Sequence, residues 1–216
     1  MTFPIAKPVI VLGAGGHAKV LISALRRLEA DILGATDADL SRAAVLDAPV
    51  LGDDSVVQAH APDKVLLVNG LGSTASSLAR RVLFEKFAAL GYGFATVVDP
   101  LALIAGPVDI AEGAQILTGA TIQPDVRVGV NAIINTRASI DHDCVIGAHE
   151  HIAPGAVLSG NVRVGDSAHV GTGATVIQGI QIGANCVVGA GAVIIQDVPQ
   201  NSTVGGVPAR SLRGEG

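Results

Sequence analysis

Every sixth residue from Ile104 to Ile194 is aliphatic. The series runs Ile104, Ile110, Ile116, Ile122, Val128, Ile134, Ile140, Ile146, Ile152, Leu158, Val164, Val170, Val176, Ile182, Val188 and Ile194, without one polar member. Four residues after most of these stands a small side chain, as at Ala114, Ala120, Ala132, Ala138, Cys144, Ala156, Ala168, Ala174, Cys186 and Ala192. A fixed repeat of this kind outranks local propensity. Each hexapeptide predicts one short strand and one corner. Three of them make an 18-residue triangular coil, in which residues 18 apart stack at the strand spacing of roughly 4.8 Å. Residues 100–199 then form about five to six coils, a prism roughly 25 Å tall. Each coil buries its aliphatics only against its neighbours, as in other solenoids. Gly129, Gly147, Gly165, Gly171, Gly183 and Gly189 follow the aliphatic and are read as corners that need a permissive backbone.

The first hundred residues carry no such period and predict alternating strand and helix. Pro8–Leu12 reads as a buried strand, and GAGGHAKV opens an amphipathic helix reaching about Leu28. Ile32–Thr36 is a second strand ending in an acidic turn, Thr36–Asp39. Val65–Asn69 is a third, followed by the turn Gly70–Gly72 and a helix over Thr74–Leu90. Phe94–Val98 leads to Asp99-Pro100, which marks the boundary. The expected organisation is a small Rossmann-like α/β domain over 1–99, a β-helix over 100–199 and a tail over 200–216.

Composition narrows the picture. The chain has 216 residues, 49% of them hydrophobic, with 27 Gly, no Trp, one Tyr and four Phe, so its core is built from thin aliphatics. A net charge of −5 offers no broad basic face for nucleic acid. No apolar run approaches a membrane span, and the start MTFPIAKP lacks a signal peptide's apolar region, so a cytoplasmic location is expected. Cys144 and Cys186 occupy apolar repeat positions and read as buried thiols rather than a disulfide.

Three segments carry chemistry. Gly13-Ala14-Gly15-Gly16, between a strand and a helix, aims backbone N–H groups at a possible anion, although Ala18 stands at the last glycine position of the dinucleotide fingerprint and a ligand-free tight turn is the alternative. Asp37 reads either as an acceptor for a ribose or base or as an ordinary turn aspartate. Asn135–Cys144 crowds polar residues where other coils are bland. In it His142 between Asp141 and Asp143 suits a general base, a neutral imidazole held and stabilised by a carboxylate; the competing reading is a solvated surface histidine. The 18-residue rule puts Gly160 one coil above His142, where its N–H could stabilise the oxyanion of a tetrahedral intermediate. It also stacks His169 on His151, which opens a metal reading, but Asp141-His142-Asp143 suits a base better than a ligand and no metal is expected. Glu150 falls at a small inward position, so either the coil distorts there or Glu150 pairs with His149, His151 or His169.

Taken in order, GAGGHAKV, NTRASIDHDCVIG, HIAPGAVLSGNVRVG and GGVPAR resemble the hexapeptide-repeat acyltransferases of the sialic-acid O-acetyltransferase and nucleotide-aminosugar N-acetyltransferase family. The resemblance implies a left-handed β-helix, a homotrimer, acetyl-CoA as cosubstrate and a nucleotide-linked 4-amino-4,6-dideoxy sugar as acceptor, UDP- or GDP-linked, in glycan or lipopolysaccharide biosynthesis. It makes His142 the base, Asp143 its carboxylate partner and Asn135 a nearby polar site residue. It assigns His151, Thr172 and Ala190 to acetyl-CoA, and Gly15, Gly16, His17, Thr36, Asp37 and Gly70 to the nucleotide sugar. A sugar O-acetyltransferase is the nearest rival, followed by a metal-dependent hydratase and a non-catalytic scaffold.

Overall fold

A computed structural model of the chain describes residues 4–73 and 76–212. The N-terminal part is a five-stranded sheet. Its central strand β1 (Val9–Leu12) is flanked by β2 (Ile32–Thr36) and β5 (Leu66–Asn69), with a hairpin of β3 (Ala44–Val45) and β4 (Ala48–Gly52) beyond β2. β1 pairs in parallel with both neighbours, β4 in parallel with β2, and only β3 runs antiparallel.

Alternation along β1 sends Val9 and Val11 to one face, where they meet Leu21, Ile22 and Leu25 of α1 (Gly16–Arg27). Ile10 and Leu12 go to the other, against Phe84 and Phe87 of α2 (Leu78–Ala89). The α1 face also packs on Leu117 and Ile133 of the C-terminal half, so the two parts share a core. The sequence reading lacked the β3–β4 hairpin, whose strands are short and partly exposed. Thr74, the expected start of the second helix, lies outside the described residues; the helix is described from Leu78.

From Val97 to Ile194, two-residue strands recur at the hexapeptide period, and each pairs with its equivalent in the coil above or below, in three parallel ladders. Ile116 aligns with Ile134, Ile134 with Ile152 and Ile152 with Val170, all inside the prism and essentially inaccessible to solvent. The stacking extends past both expected limits. Val97–Val98 pairs with Gln115–Ile116, and Thr203–Gly206 adds a rung on Val187–Val188 before folding back on Ala209–Ser211. Asp99 fastens the first coil to α1: its buried carboxylate accepts from Arg27 at 2.5 Å and from the Thr118 hydroxyl at 2.5 Å.

The corner chemistry differs from expectation in one respect. The glycines directly after the aliphatics do not adopt positive φ; a Cβ on Gly129 or Gly165 would meet backbone of the next coil at 2.6 Å, so they are there for close approach. Positive φ falls two positions later, at Asn131, Arg137, Asp143, His149, Asn161, Ser167 and Asn185, where Asn and Asp tolerate the left-handed region best.

Glu150 neither distorts its coil nor finds a histidine. Its carbonyl still accepts from Ile133 N–H at 2.8 Å, while both carboxyl oxygens are fully buried without a hydrogen-bond partner among the described residues. Burial pushes its pKa well above the carboxylate range, against a weak opposing pull from the Ala168 N–H. The folded state therefore favours the protonated side chain more than the unfolded state does. Its contribution to stability is fully present below the ordinary value of 4.5 and is lost as pH rises from there through the raised folded value. Glu150→Met, apolar and of similar length, should be more stable than the parent by about 1–3 kcal/mol near neutrality. The gap in Tm should widen with pH; a lower Tm for the variant, or a gap indifferent to pH, would show that Glu150 is partnered.

Candidate active site

β1 and β5 stay paired through their last residues, Leu12 and Asn69, and beyond them the chain leaves to α1 on one face of the sheet and to α2 on the other, the switch in strand order where parallel sheets open a crevice. A cavity of about 660 Å³ lies there, walled by the Gly13–Gly16 turn, Asp37, Gly70–Gly72 and one side of α2. Gly13 needs its φ of +94°, and Gly70 admits no side chain because a Cβ would sit 2.7 Å from the Leu12 carbonyl. Gly15 caps α1 without a side-chain bond, leaving the helix N-terminus open to an anion. Of the residues assigned to the nucleotide sugar, Gly15, Gly16, His17, Asp37 and Gly70 line this cavity. Thr36 does not. It is fully buried, its hydroxyl accepting from Gly13 N–H at 3.1 Å and donating to Asp54 at 2.5 Å, so it supports the turn from behind.

Sequence reasoning missed Arg42, which donates to the Ala14 carbonyl and pairs with Asp37 at 3.3 Å, and Lys86, on the α2 wall. A cation just before the unseen hairpin carries no local signal of its place. Arg80 was missed for a similar reason. It is buried without a carboxylate partner among the described residues, donating to the carbonyls of Asn69, Leu71 and Asn131.

A second cavity, about 630 Å³, opens where the first domain meets a prism edge, between Gly16, His17, Gly72 and Ser73 on one side and Asn135, Thr136, His151 and Pro154 on the other. Asn135 and His151 are joined at 2.9 Å. Asn135 Oδ1 accepts from Thr136 N–H, so its amide nitrogen faces the ring and donates to His151 Nε2. His151 Nδ1–H then donates to the Ser73 carbonyl at 3.0 Å. Burial, and then the positive charge that His169, His17 and Arg80 can carry, holds His151 near pKa 3, hence neutral. Both ring nitrogens are engaged within the chain, so a contact from His151 to another molecule would run through carbon atoms or require rearrangement. Thr136, Pro154, Thr172 and Ala190 occupy equivalent positions in successive coils and form one column, with Thr172 and Ala190 exposed further along the same edge.

His142, Asp143 and Gly160 come together, but on a different corner of the prism from Asn135. His142 Nδ1 lies 2.7 Å from Asp143 Oδ2, and both side chains are about 60% exposed. The hydrogen bond to Asp143, then the charge of Asp141, raise the pKa of the ring. Gly160 faces it closely: a Cβ there would approach His142 Cε1 to 2.6 Å, and its N–H has no hydrogen-bond partner among the described residues. Neither cavity includes His142. His149 bonds Asn131 at 2.9 Å, and His151 and His169 stack edge to face at 5.0 Å. Among the described residues no three His, Cys, Asp or Glu side chains converge as metal ligands. Cys144 and Cys186 are buried free thiols in the prism.

A Rossmann-like domain with an open helix N-terminus, docked on a prism of hexapeptide coils bearing an exposed histidine–carboxylate pair, defines the class of hexapeptide-repeat acyltransferases. Family models agree: one described as the PglD N-terminal domain matches residues 8–87, and one described as bacterial transferase hexapeptide (six repeats) matches 161–196. No curated protein sequence matches the chain. Among solved structures, PerB from Caulobacter crescentus in complex with CoA and GDP-perosamine is 36% identical, with a TM-score of 0.89, covering 96% of this chain and 98% of that one. The acetyltransferase domain of PglB from Neisseria gonorrhoeae FA1090, in complex with acetyl coenzyme A, is 34% identical over 95% and 99%, TM-score 0.89. WeeI from Acinetobacter baumannii AYE is 28% identical over 96% and 100%, TM-score 0.87. The chain belongs to this family of nucleotide-aminosugar N-acetyltransferases, and its C-terminal half is their left-handed β-helix.

The histidines should separate by NMR titration. His142 should titrate above the ordinary 6.5 and move down in Asp143→Asn, whereas His151 should show no titration above about pH 4. A His142 that titrates identically in parent and variant would show that the pair does not form in solution.

Proposed function

We propose that the chain transfers the acetyl group of acetyl-CoA to the 4-amino group of a nucleotide-linked 4-amino-4,6-dideoxy sugar of the GDP-perosamine or UDP-4-amino-sugar kind, in the cytoplasm, as a homotrimer. The observation that carries this reading is the end-to-end likeness to an enzyme solved with CoA and GDP-perosamine bound, at 36% identity over 98% of its length. Variants of a perosamine N-acetyltransferase from the same organism, with a histidine replaced by asparagine or alanine, were also solved with both ligands.

In this reading residues 1–99 hold the nucleotide in the 660 Å³ cavity, its diphosphate toward Gly15, Gly16 and the α1 N-terminus. Residues 100–199 hold acetyl-CoA, its pantetheine arm along the Thr136, Pro154, Thr172 and Ala190 column, with 200–216 as the tail. The sugar amine attacks the thioester carbonyl. An N–C bond forms, the proton passes to His142 Nε2, and the Gly160 N–H receives the oxyanion. Collapse of the tetrahedral intermediate breaks the C–S bond, and the proton returns from His142 to the CoA thiolate. Asp143 holds the Nδ1–H tautomer and stabilises the imidazolium. Because His142 and Asn135 occupy different corners of one prism, the base of one chain serves the cavity of its neighbour.

His142→Ala should lower kcat by at least about 10² while acetyl-CoA still binds; a rate near the parent's would remove the base role. Gly16→Asp has room for its side chain and should repel a diphosphate. Assembled together from equal amounts, the two inactive variants should regain up to about a quarter of parental activity, since an intact base can then meet an intact cavity. No recovery from mixed trimers would place the site within one chain.

A further inference from the structure

The two cavities share a wall made of Gly16, His17 and Gly72. His17 therefore stands where the nucleotide side opens onto the prism edge. Its Nε2 lies 2.7 Å from Gln115 Oε1. The other end of that amide settles which atom faces the ring: Gln115 Nε2 donates to the Asn69 carbonyl at 2.9 Å, and a carbonyl can only accept. Oε1 thus points at His17, and the ring nitrogen opposite must carry the proton. In the neutral ring Nδ1 is then a lone-pair acceptor, and the one side-chain hydrogen bond of His17 among the described residues is that at Nε2.

Gln115 is fully buried, in the outward-facing column occupied by Ile133 one coil above and His151 the next. An amide there is costly unless both ends are used, and both are. Burial, more than charge, favours the neutral state of His17. Burial, followed by the Arg80 guanidinium, lowers its pKa to about 4, against the opposing Gln115 bond. Arg80 is held there by the carbonyls of Asn69 and Leu71, on either side of Gly70. The other titratable groups around the ring are His151 across the second cavity and Asp37, Arg42, Asp54 and Lys86 around the first.

We propose that Gln115 is a positioning residue that fixes His17 as the Nε2–H tautomer, so that Nδ1 accepts a hydrogen bond from an N–H or O–H of the nucleotide-linked sugar as it crosses between the cavities. This role rests on the sugar-acetylating function proposed above and assigns one determinant of acceptor recognition to a residue of the β-helix rather than of the nucleotide domain.

The tautomer is measurable on unliganded protein by long-range ¹⁵N–¹H correlation of the histidine rings, so it is independent of the acceptor's identity. His17 should appear as neutral Nε2–H and stay so down to about pH 5. Gln115→Leu should mix the tautomers and raise KM for the nucleotide sugar about tenfold, leaving KM for acetyl-CoA within about twofold. Gln115→Glu keeps an acceptor facing Nε2 but adds a charge that raises the His17 pKa, so kcat/KM for the sugar should show a second acid-side ionisation in addition to the one that His142 gives the parent. An Nδ1–H tautomer in the parent overturns the proposal, as does a Gln115→Leu protein with unchanged sugar KM or equal losses for both substrates. Should Gln115→Leu fail to fold, the parent spectrum and the Gln115→Glu pH profile still decide.

Discussion

One coil stacks on the next only if every strand pairs in register with its equivalent in the neighbouring coil, and the rest of the molecule follows from that ladder. Each inward position stacks on its equivalents above and below, so Ile116, Ile134, Ile152 and Val170 form one column and Ala132, Glu150, Ala168 and Cys186 another. The same rule arranges chemistry on the outside. It puts Gly160 against His142, His169 against His151, and Thr136, Pro154, Thr172 and Ala190 in a row. A rigid stack is a good place for such groups, because a misplacement of about 1 Å costs heavily in catalysis.

What the ladder does not provide is a pocket for the acceptor. The first domain supplies it by docking on one prism face through buried polar groups: Asp99 with Arg27 and Thr118, Arg80 with the Asn131 carbonyl, and Gln115 with His17 and Asn69. Buried polar groups stabilise only when partnered. These are, so they fix the turns at Gly13–Gly16 and Gly70–Gly72 relative to Asn135 and His151. Glu150 breaks the rule within the prism, and burial raises its pKa well above the carboxylate range.

Legibility followed periodicity. The prism was readable because its period is unbroken, and with it every stacking relation, including Gly160 over His142. β1, α1, β2 and β5 were readable from apolar runs bounded by glycine and acidic turns. The β3–β4 hairpin was not, since Ala44–Val45 and Ala48–Gly52 are short and half exposed. Thr36 was placed in the pocket by family resemblance, yet the structure turns its hydroxyl inward to Gly13 and Asp54. Nothing in the local sequence singles out Arg80 or Gln115; their meaning lies in partners 51 and 98 residues away.

The claim on which the account turns is amide formation on a nucleotide-linked amino sugar. Purified protein should be supplied with acetyl-CoA and, in turn, GDP-, UDP- and dTDP-linked 4-amino-4,6-dideoxy sugars, following free CoA thiol and the acetylated product. Stoichiometric thiol release is expected with at least one of them, together with a product stable to mild alkaline hydroxylamine, as an amide is. An acetyl group released by hydroxylamine, or no thiol release with any amino sugar, would contradict it.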